Sequence, residues 1–168
     1  MPDNKVLIPL TQSELSHKIL PHVEKFIPAA CNELILFFVT RPPSGSGFGE
    51  PDLSAGYIPR PGDKSVQPTL HPIYESQQED SIKAHVESEL ASVTDHLKEA
   101  GYKVSLVVGF DKDPVDAILA EIKSSKIDLV AMSTRARVGV TRFFFRSIAD
   151  TLTKKAKVPV LLAHPSAA

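Results

Sequence analysis

The sequence predicts a doubly wound α/β domain, a five-stranded parallel sheet with helices on both faces. Three observations lead there. Short runs such as Leu34–Val39 are apolar at every position, as strands buried on both faces of a parallel sheet must be. Stretches of helical period alternate with these runs, the pattern of successive strand–helix–strand units with right-handed crossovers. The length of 168 residues, with 42% hydrophobic and 23% charged residues, suits one globular domain.

Lys5–Pro9 opens the chain as a buried strand. Ser13 caps a helix whose apolar residues Leu15, Ile19, Val23 and Phe26 recur at steps of four, four and three. Pro21 falls inside that pattern and is expected to kink the helix or end it early. Leu34–Val39 is the second strand. From Arg41 to Pro72 lie seven of the 14 prolines and five of the 8 glycines, so this segment reads as a loop insertion over one edge of the domain. Ile82, Val86, Leu90, Val93 and Leu97 then mark a long amphipathic helix stopped by Gly101. Tyr102–Val108 is the third strand. Asp113-Pro114 starts the next helix, aspartate as cap and proline at the first helical position, with Val115, Ile118, Leu119 and Ile122 as its buried face. Ile127–Met132 is the fourth strand. Ser147-x-x-Asp150 reads as a capping box for a last helix, and Val158–Ala163 is the fifth strand. Pro159 near its start marks that strand as an edge.

Composition excludes several classes of function. No apolar run approaches the ~20 residues that span a bilayer, and Met1–Lys5 does not open a secretory signal. The single cysteine, Cys31, forms no internal disulfide and suits a reducing cytoplasm. A net charge of −1 speaks against a wholly basic nucleic-acid binder. The charge is nevertheless uneven. Ser133–Lys157 holds Arg135, Arg137, Arg142, Arg146, Lys154, Lys155 and Lys157 against Asp150 alone, a net +6 that leaves −7 elsewhere. Lysines in the last turn of a helix complement its dipole; the four arginines ahead of it are not explained that way. Placed near a helix start at the carboxyl ends of the strands, they suit an anion such as a phosphate. In doubly wound sheets ligands lie at those ends, where the strand order reverses, which directs attention to Pro9–Ser13, Val39–Arg41, Gly109–Asp113 and Ser133–Ser147.

Other motifs carry less. Gly45-x-Gly47-x-Gly49 lacks the spacing and the following helix of a dinucleotide fingerprint. Asp111-Lys-Asp113 resembles the first motif of haloacid-dehalogenase-type phosphatases, in which paired aspartates hold Mg²⁺ and attack phosphorus, yet Asp113 already serves as a cap. The six histidines show no metal-ligand spacing, and nothing nominates a nucleophile, so no catalytic residue is assigned.

With its elements laid out, the chain resembles the universal stress proteins over nearly its whole length outside the 41–72 insertion. The resemblance rests on Val6–Pro9, Leu36–Val39, Asp113–Ile118, and above all Ile127–Thr134 through Arg146–Asp150 to Val158–Leu162. It implies a Rossmann-like fold and a stress-linked regulatory or binding module. ATP-binding members of that family carry glycine, two residues, glycine, nine residues, glycine and serine. The matching positions here are Ser133, Ala136, Arg146 and Ser147, so the spacing persists without the glycines. Those members also place an aspartate near adenine where this chain has Thr11. Pro9, Val39 and Met132 match further pocket positions, and Arg135 and Arg137 join the candidate anion site. A Cβ hinders both close approach to phosphate and positive φ. The expectation is therefore a degenerate site with weak or absent ATP binding and another phosphate-bearing ligand in its place. The alternatives are a competent ATP binder with slow hydrolysis, an aspartate-dependent phosphatase, or an interaction module whose 41–72 loop contacts a protein partner. The resemblance also implies a homodimer through the last strand, with Val158, Val160, Leu161 and Leu162 at its interface. An apolar edge strand is better paired than bare. Neither nucleic acid nor membrane is expected as a partner.

Overall fold

A computed structural model of the chain describes residues 4–42, 72–134 and 148–164. Its strands are β1 (Asn4–Leu10), β2 (Asn32–Thr40), β3 (Lys103–Phe110), β4 (Leu129–Ser133) and β5 (Val160–Ala163). They form one sheet, all neighbours parallel, in the order β3-β2-β1-β4-β5. The helices are α1 (Glu14–His17), α2 (Leu20–Phe26), α3 (Pro72–Glu99), α4 (Pro114–Ser124) and α5 (Ile148–Lys155).

Strand side chains alternate between the two faces, and each face has its own core. Val6, Ile8 and Leu10 of β1 with Leu34, Leu36 and Phe38 of β2 meet Ile19, Val23 and Ile27 around α2 and Val86, Leu90 and Leu97 of α3. Leu7, Ile35, Phe37, Val130 and Met132 meet Ala117, Ile118 and Ile122 of α4 and Ala149 and Leu152 of α5. The sheet is thus covered on both faces, which is why its central strands are apolar throughout.

The first helix is two. Ser13 caps α1, its Oγ accepting from the Leu15 N–H at 3.3 Å, and Pro21 stands in the first turn of α2. Proline cannot continue a helix already under way but fits the start of a new one. The break resets the helical phase, so Ile19, Val23 and Ile27 turn inward. Phe26, expected on the buried face, is 61% exposed, with Lys25 Nζ 5.4 Å from its ring centroid. The Tyr102 hydroxyl donates to the Ile27 carbonyl at 2.6 Å, tying the end of α2 to the start of β3.

Several boundaries move from those expected. α3 starts at Pro72, ten residues before Ile82, because proline suits a first turn as well as a loop. It ends in a Schellman motif: Tyr102 N–H donates to the Leu97 carbonyl and Gly101 N–H to that of Lys98, with Gly101 at φ +94°. β3 continues through Gly109 and Phe110. β4 begins at Leu129 rather than Ile127, since the Ile127 N–H donates to the Ile122 carbonyl and closes α4. β5 begins at Val160, after Pro159, and is an edge strand as the proline indicated. Residues 43–71 of the expected 41–72 insertion, with the glycine run 45–49 among them, lie outside the described residues.

Two positions give direct tests. A Cβ at Gly109 would stand 2.7 Å from Cζ of Phe37, a core ring only 2% exposed. Gly109→Ala is expected to cost about 1–3 kcal/mol in urea denaturation through this overpacking. At the amino end of the sheet Glu33 accepts from Lys103 Nζ at 2.9 Å and from Ser105 Oγ at 3.1 Å. The Lys103 hydrogen bond, helped by that of Ser105, holds its carboxyl below the ordinary 4.5 although burial pulls the other way. A depressed folded-state pKa stabilises above the unfolded value, and the contribution is lost as pH falls through the folded one. Stability measured on acidification from pH 5 should therefore drop more steeply in the wild type than in Glu33→Gln.

Candidate functional site

The chain leaves β1 through α1 and α2 on one face of the sheet and leaves β4 through α5 on the other. Among the described residues a crevice opens between the carboxyl ends of these neighbouring strands. It is a cleft of about 510 Å³. β1 and the turn after it supply Pro9, Leu10, Thr11, Ser13, Leu15 and Ser16; β2 supplies Val39; α4 supplies Pro114 and Ile118; β4 and the residue after it supply Met132, Ser133 and Thr134; and α5 supplies Ile148 and Ala149.

A hydrogen-bonded knot shapes the β1–α1 side. Ser16 Oγ accepts from the Thr11 N–H at 3.0 Å and donates toward the carbonyls of Ser13 at 2.8 Å and Thr11 at 3.1 Å. The Ser13 N–H donates to Thr11 Oγ1 at 3.2 Å. His17 Nε2 lies 3.2 Å from the Thr11 carbonyl, and because a carbonyl only accepts, Nε2 carries the proton. On the β4 side, the Thr134 N–H donates to the Ala163 carbonyl at 2.9 Å. Ser133 Oγ is buried and has no hydrogen-bond partner.

The described lining is chemically uniform. Its walls are aliphatic, its polar side chains are all hydroxyls, and none of the described lining residues is charged. Such a surface has the chemistry of a small-molecule pocket, apolar walls with a few placed polar groups. Ile148 and Ala149 begin α5, so the positive end of that helix's dipole borders the cleft. Asp150 in its first turn and Lys154 and Lys155 in its last follow the same dipole.

Of the candidate positions, Pro9, Thr11, Val39, Met132 and Ser133 come together in this cleft. Arg135, Ala136, Arg137, Arg142, Arg146 and Ser147 lie outside the described residues. Ser133 has an ordinary backbone, since Lys126 is the one non-glycine residue with positive φ among those described; glycine's conformational freedom is not needed there. Val160, Leu161 and Leu162 are half-buried along β5, and Val158 packs just ahead of it. Gly109–Asp113 does not join the cleft. Gly109, Phe110 and Asp111 instead border a separate cavity of about 260 Å³ between β3 and α4. Asp113 caps α4, its Oδ1 accepting from the Val115 N–H at 2.8 Å, and Asp111 Oδ1 accepts from the Asp113 N–H at 3.0 Å in the turn before it.

Sequence reasoning did not single out Ser16 or Ile118 as site residues. The hydroxyls at 11, 13 and 16 directly after a strand were a usable signal for the first. Ile118 read as an ordinary core position. Ser16→Ala would leave the Thr11 N–H without its acceptor and is expected to cost about 1 kcal/mol in urea denaturation.

The architecture has counterparts among known proteins. The model of the universal stress protein family matches residues 4–164. Universal stress protein MJ0577 of Methanocaldococcus jannaschii is 22% identical over 161 residues, covering 94% of this chain and 93% of its own. The solved structure of MJ0577 superposes with a TM-score of 0.64 at 18% identity over the full length of both chains. A universal stress protein in complex with cAMP gives 0.62 at 17% identity over 99% of this chain and 100% of its own. An Arabidopsis thaliana universal stress protein family protein with AMP bound gives 0.58 at 17% identity, covering 98% and 93%. At such identities the structural likeness speaks for the fold. With that fold, and with a family model matching almost end to end, the chain belongs to the universal stress protein family.

Proposed function

We propose that this protein is a stress-response binding module whose cleft takes an adenine nucleotide, or another phosphate-bearing ligand, weakly. The observation that carries the reading is the cleft itself: an apolar slot at the strand-order reversal, bordered by the start of α5 and lined by uncharged hydroxyls. A base fits the apolar end between Val39, Pro114 and Ile118, and a phosphate suits the end where α5 begins. The complexes of related folds with cAMP and AMP support the same class of ligand.

The substitutions argue for weakness. Thr11 presents a neutral hydroxyl where ATP-binding relatives offer a carboxylate to the adenine amino group, and charge-assisted hydrogen bonds are roughly twice as strong as neutral ones. Ala136 and Arg146 replace two further glycines of the phosphate loop, and the neighbouring arginines supply compensating positive charge. No catalytic step is assigned. The working unit on this reading is a homodimer formed through β5, whose outer edge has no strand paired to it among the described residues. Partner contacts fall to the 41–72 segment, and the setting is the cytoplasm.

Calorimetric titration with AMP, cAMP and ATP–Mg²⁺ tests the reading, with dissociation constants above ~100 μM expected, or about 5.5 kcal/mol of binding free energy. Thr11→Asp should tighten adenine nucleotides several-fold. Affinity at the low micromolar level would overturn the degenerate site, and no binding of any nucleotide would overturn the ligand class. Native mass spectrometry of freshly purified protein reports the subunit count and any retained nucleotide together.

A further inference from the structure

β3 forms one edge of the sheet and β5 the other, so pairing through β5 leaves β3 facing outward. The Asp111 N–H donates to the Thr40 carbonyl, and along a strand alternate residues turn their backbone groups to the same neighbour. The register therefore directs Ser105, Val107 and Gly109 toward β2 and points the N–H and C=O groups of Val104, Leu106, Val108 and Phe110 outward. Among the described residues no backbone group bonds to these four from outside. Edge strands are ordinarily guarded by shortness, proline, a bulge or charge. β5 is four residues long and follows Pro159. β3 runs for eight, without proline and with its single charge, Lys103, at the start.

The cavity of about 260 Å³ lies along this edge, and Val108 and Phe110 line it. Phe37, Val107 and Gly109 border it from the sheet, and α4 borders it with Ala117 and Ala120, whose small side chains leave room. An apolar slot beside unpaired strand backbone is the geometry of strand addition, in which main-chain bonds supply affinity and the slot selects a side chain. Glu121 and Asp111 add charge to the same cavity. The hydroxyls of Ser124 and Ser125 donate to Glu121, and the Asp113 N–H donates to Asp111. Neither carboxylate has an ion-pair partner among the described residues.

We propose that the outer edge of β3 docks an extended segment of a partner protein as an added strand. An aliphatic side chain of that segment fills the slot, and a lysine or arginine two positions along, on the same face, meets Glu121 and Asp111. The β3 of a second copy does not supply this chemistry, because its one basic residue, Lys103, is already paired with Glu33. The surface is separate from the nucleotide cleft, and its fate does not depend on that ligand.

The test selects a displayed library of random heptapeptides on the full chain and measures the enriched peptides by calorimetry and amide hydrogen exchange. Enriched sequences should carry an aliphatic and a basic residue two positions apart. Bound peptide should slow exchange at the Leu106 and Val108 N–H groups, while that of Val107, directed toward β2, is slow throughout. Ala120→Leu, at an exposed helix position, fills the slot and should weaken binding about 10-fold or more. Glu121→Lys, near the end of α4 where a cation suits the dipole, should weaken it about 5-fold. A library without binders, enriched peptides without that spacing, or affinity unchanged in Ala120→Leu overturns the proposal. So does slow exchange at Leu106 and Val108 without peptide. If that protection is lost on deleting residues 43–71, the chain's own segment covers the edge; if it grows with protein concentration, a second copy does.

Discussion

β1 is paired on both sides, to β2 and to β4, while the connections after β1 and β4 leave on opposite faces of the sheet. That single topological constraint opens the cleft. Parallel strands need long crossovers, and each right-handed crossover commits its helix to one face. Where consecutive commitments differ, the carboxyl ends of two neighbouring strands have no helix between them. The cost falls on β1, buried on both sides, and its Val6, Leu7 and Ile8 are accordingly 0% exposed.

The cleft is built from groups whose positions are settled by backbone needs. Ser13 is there because α1 requires a cap, Ser16 because the turn after β1 must satisfy the Thr11 N–H, and Pro114 because α4 starts well with proline. Their side by side arrangement yields a surface of hydroxyls and aliphatic carbons that carries no described charge. On the proposed reading, such a lining suits the neutral part of a ligand. On the same reading, attraction for an anion falls to the helix dipole and to the arginines between β4 and α5 in the sequence.

Much of the fold was legible because its signals are local. Pro21 broke the first helical pattern, Asp113 capped α4, Gly101 closed α3, and Pro159 marked an edge. Phe26 shows where local reading fails. Its i+3 spacing from Val23 satisfied a helical template, yet a proline-induced break rotated the second helix so that Ile27 took the buried place. Ile127 fails for a related reason, since an apolar residue that plugs the end of a helix has the same composition as one that begins a strand.

For the site, the sequence alone determined which residues end the strands, and so put Pro9, Thr11, Val39, Met132 and Ser133 among the candidates. Periodicity and capping chemistry act over a few residues and leave their mark in adjacent letters. Only the tertiary structure decided that these ends converge while Gly109–Asp113 stands apart over a second cavity, and that the hydroxyl of Ser133 has no partner. Strand order and the satisfaction of a buried atom depend on contacts between residues far apart in the chain, and no local pattern encodes them.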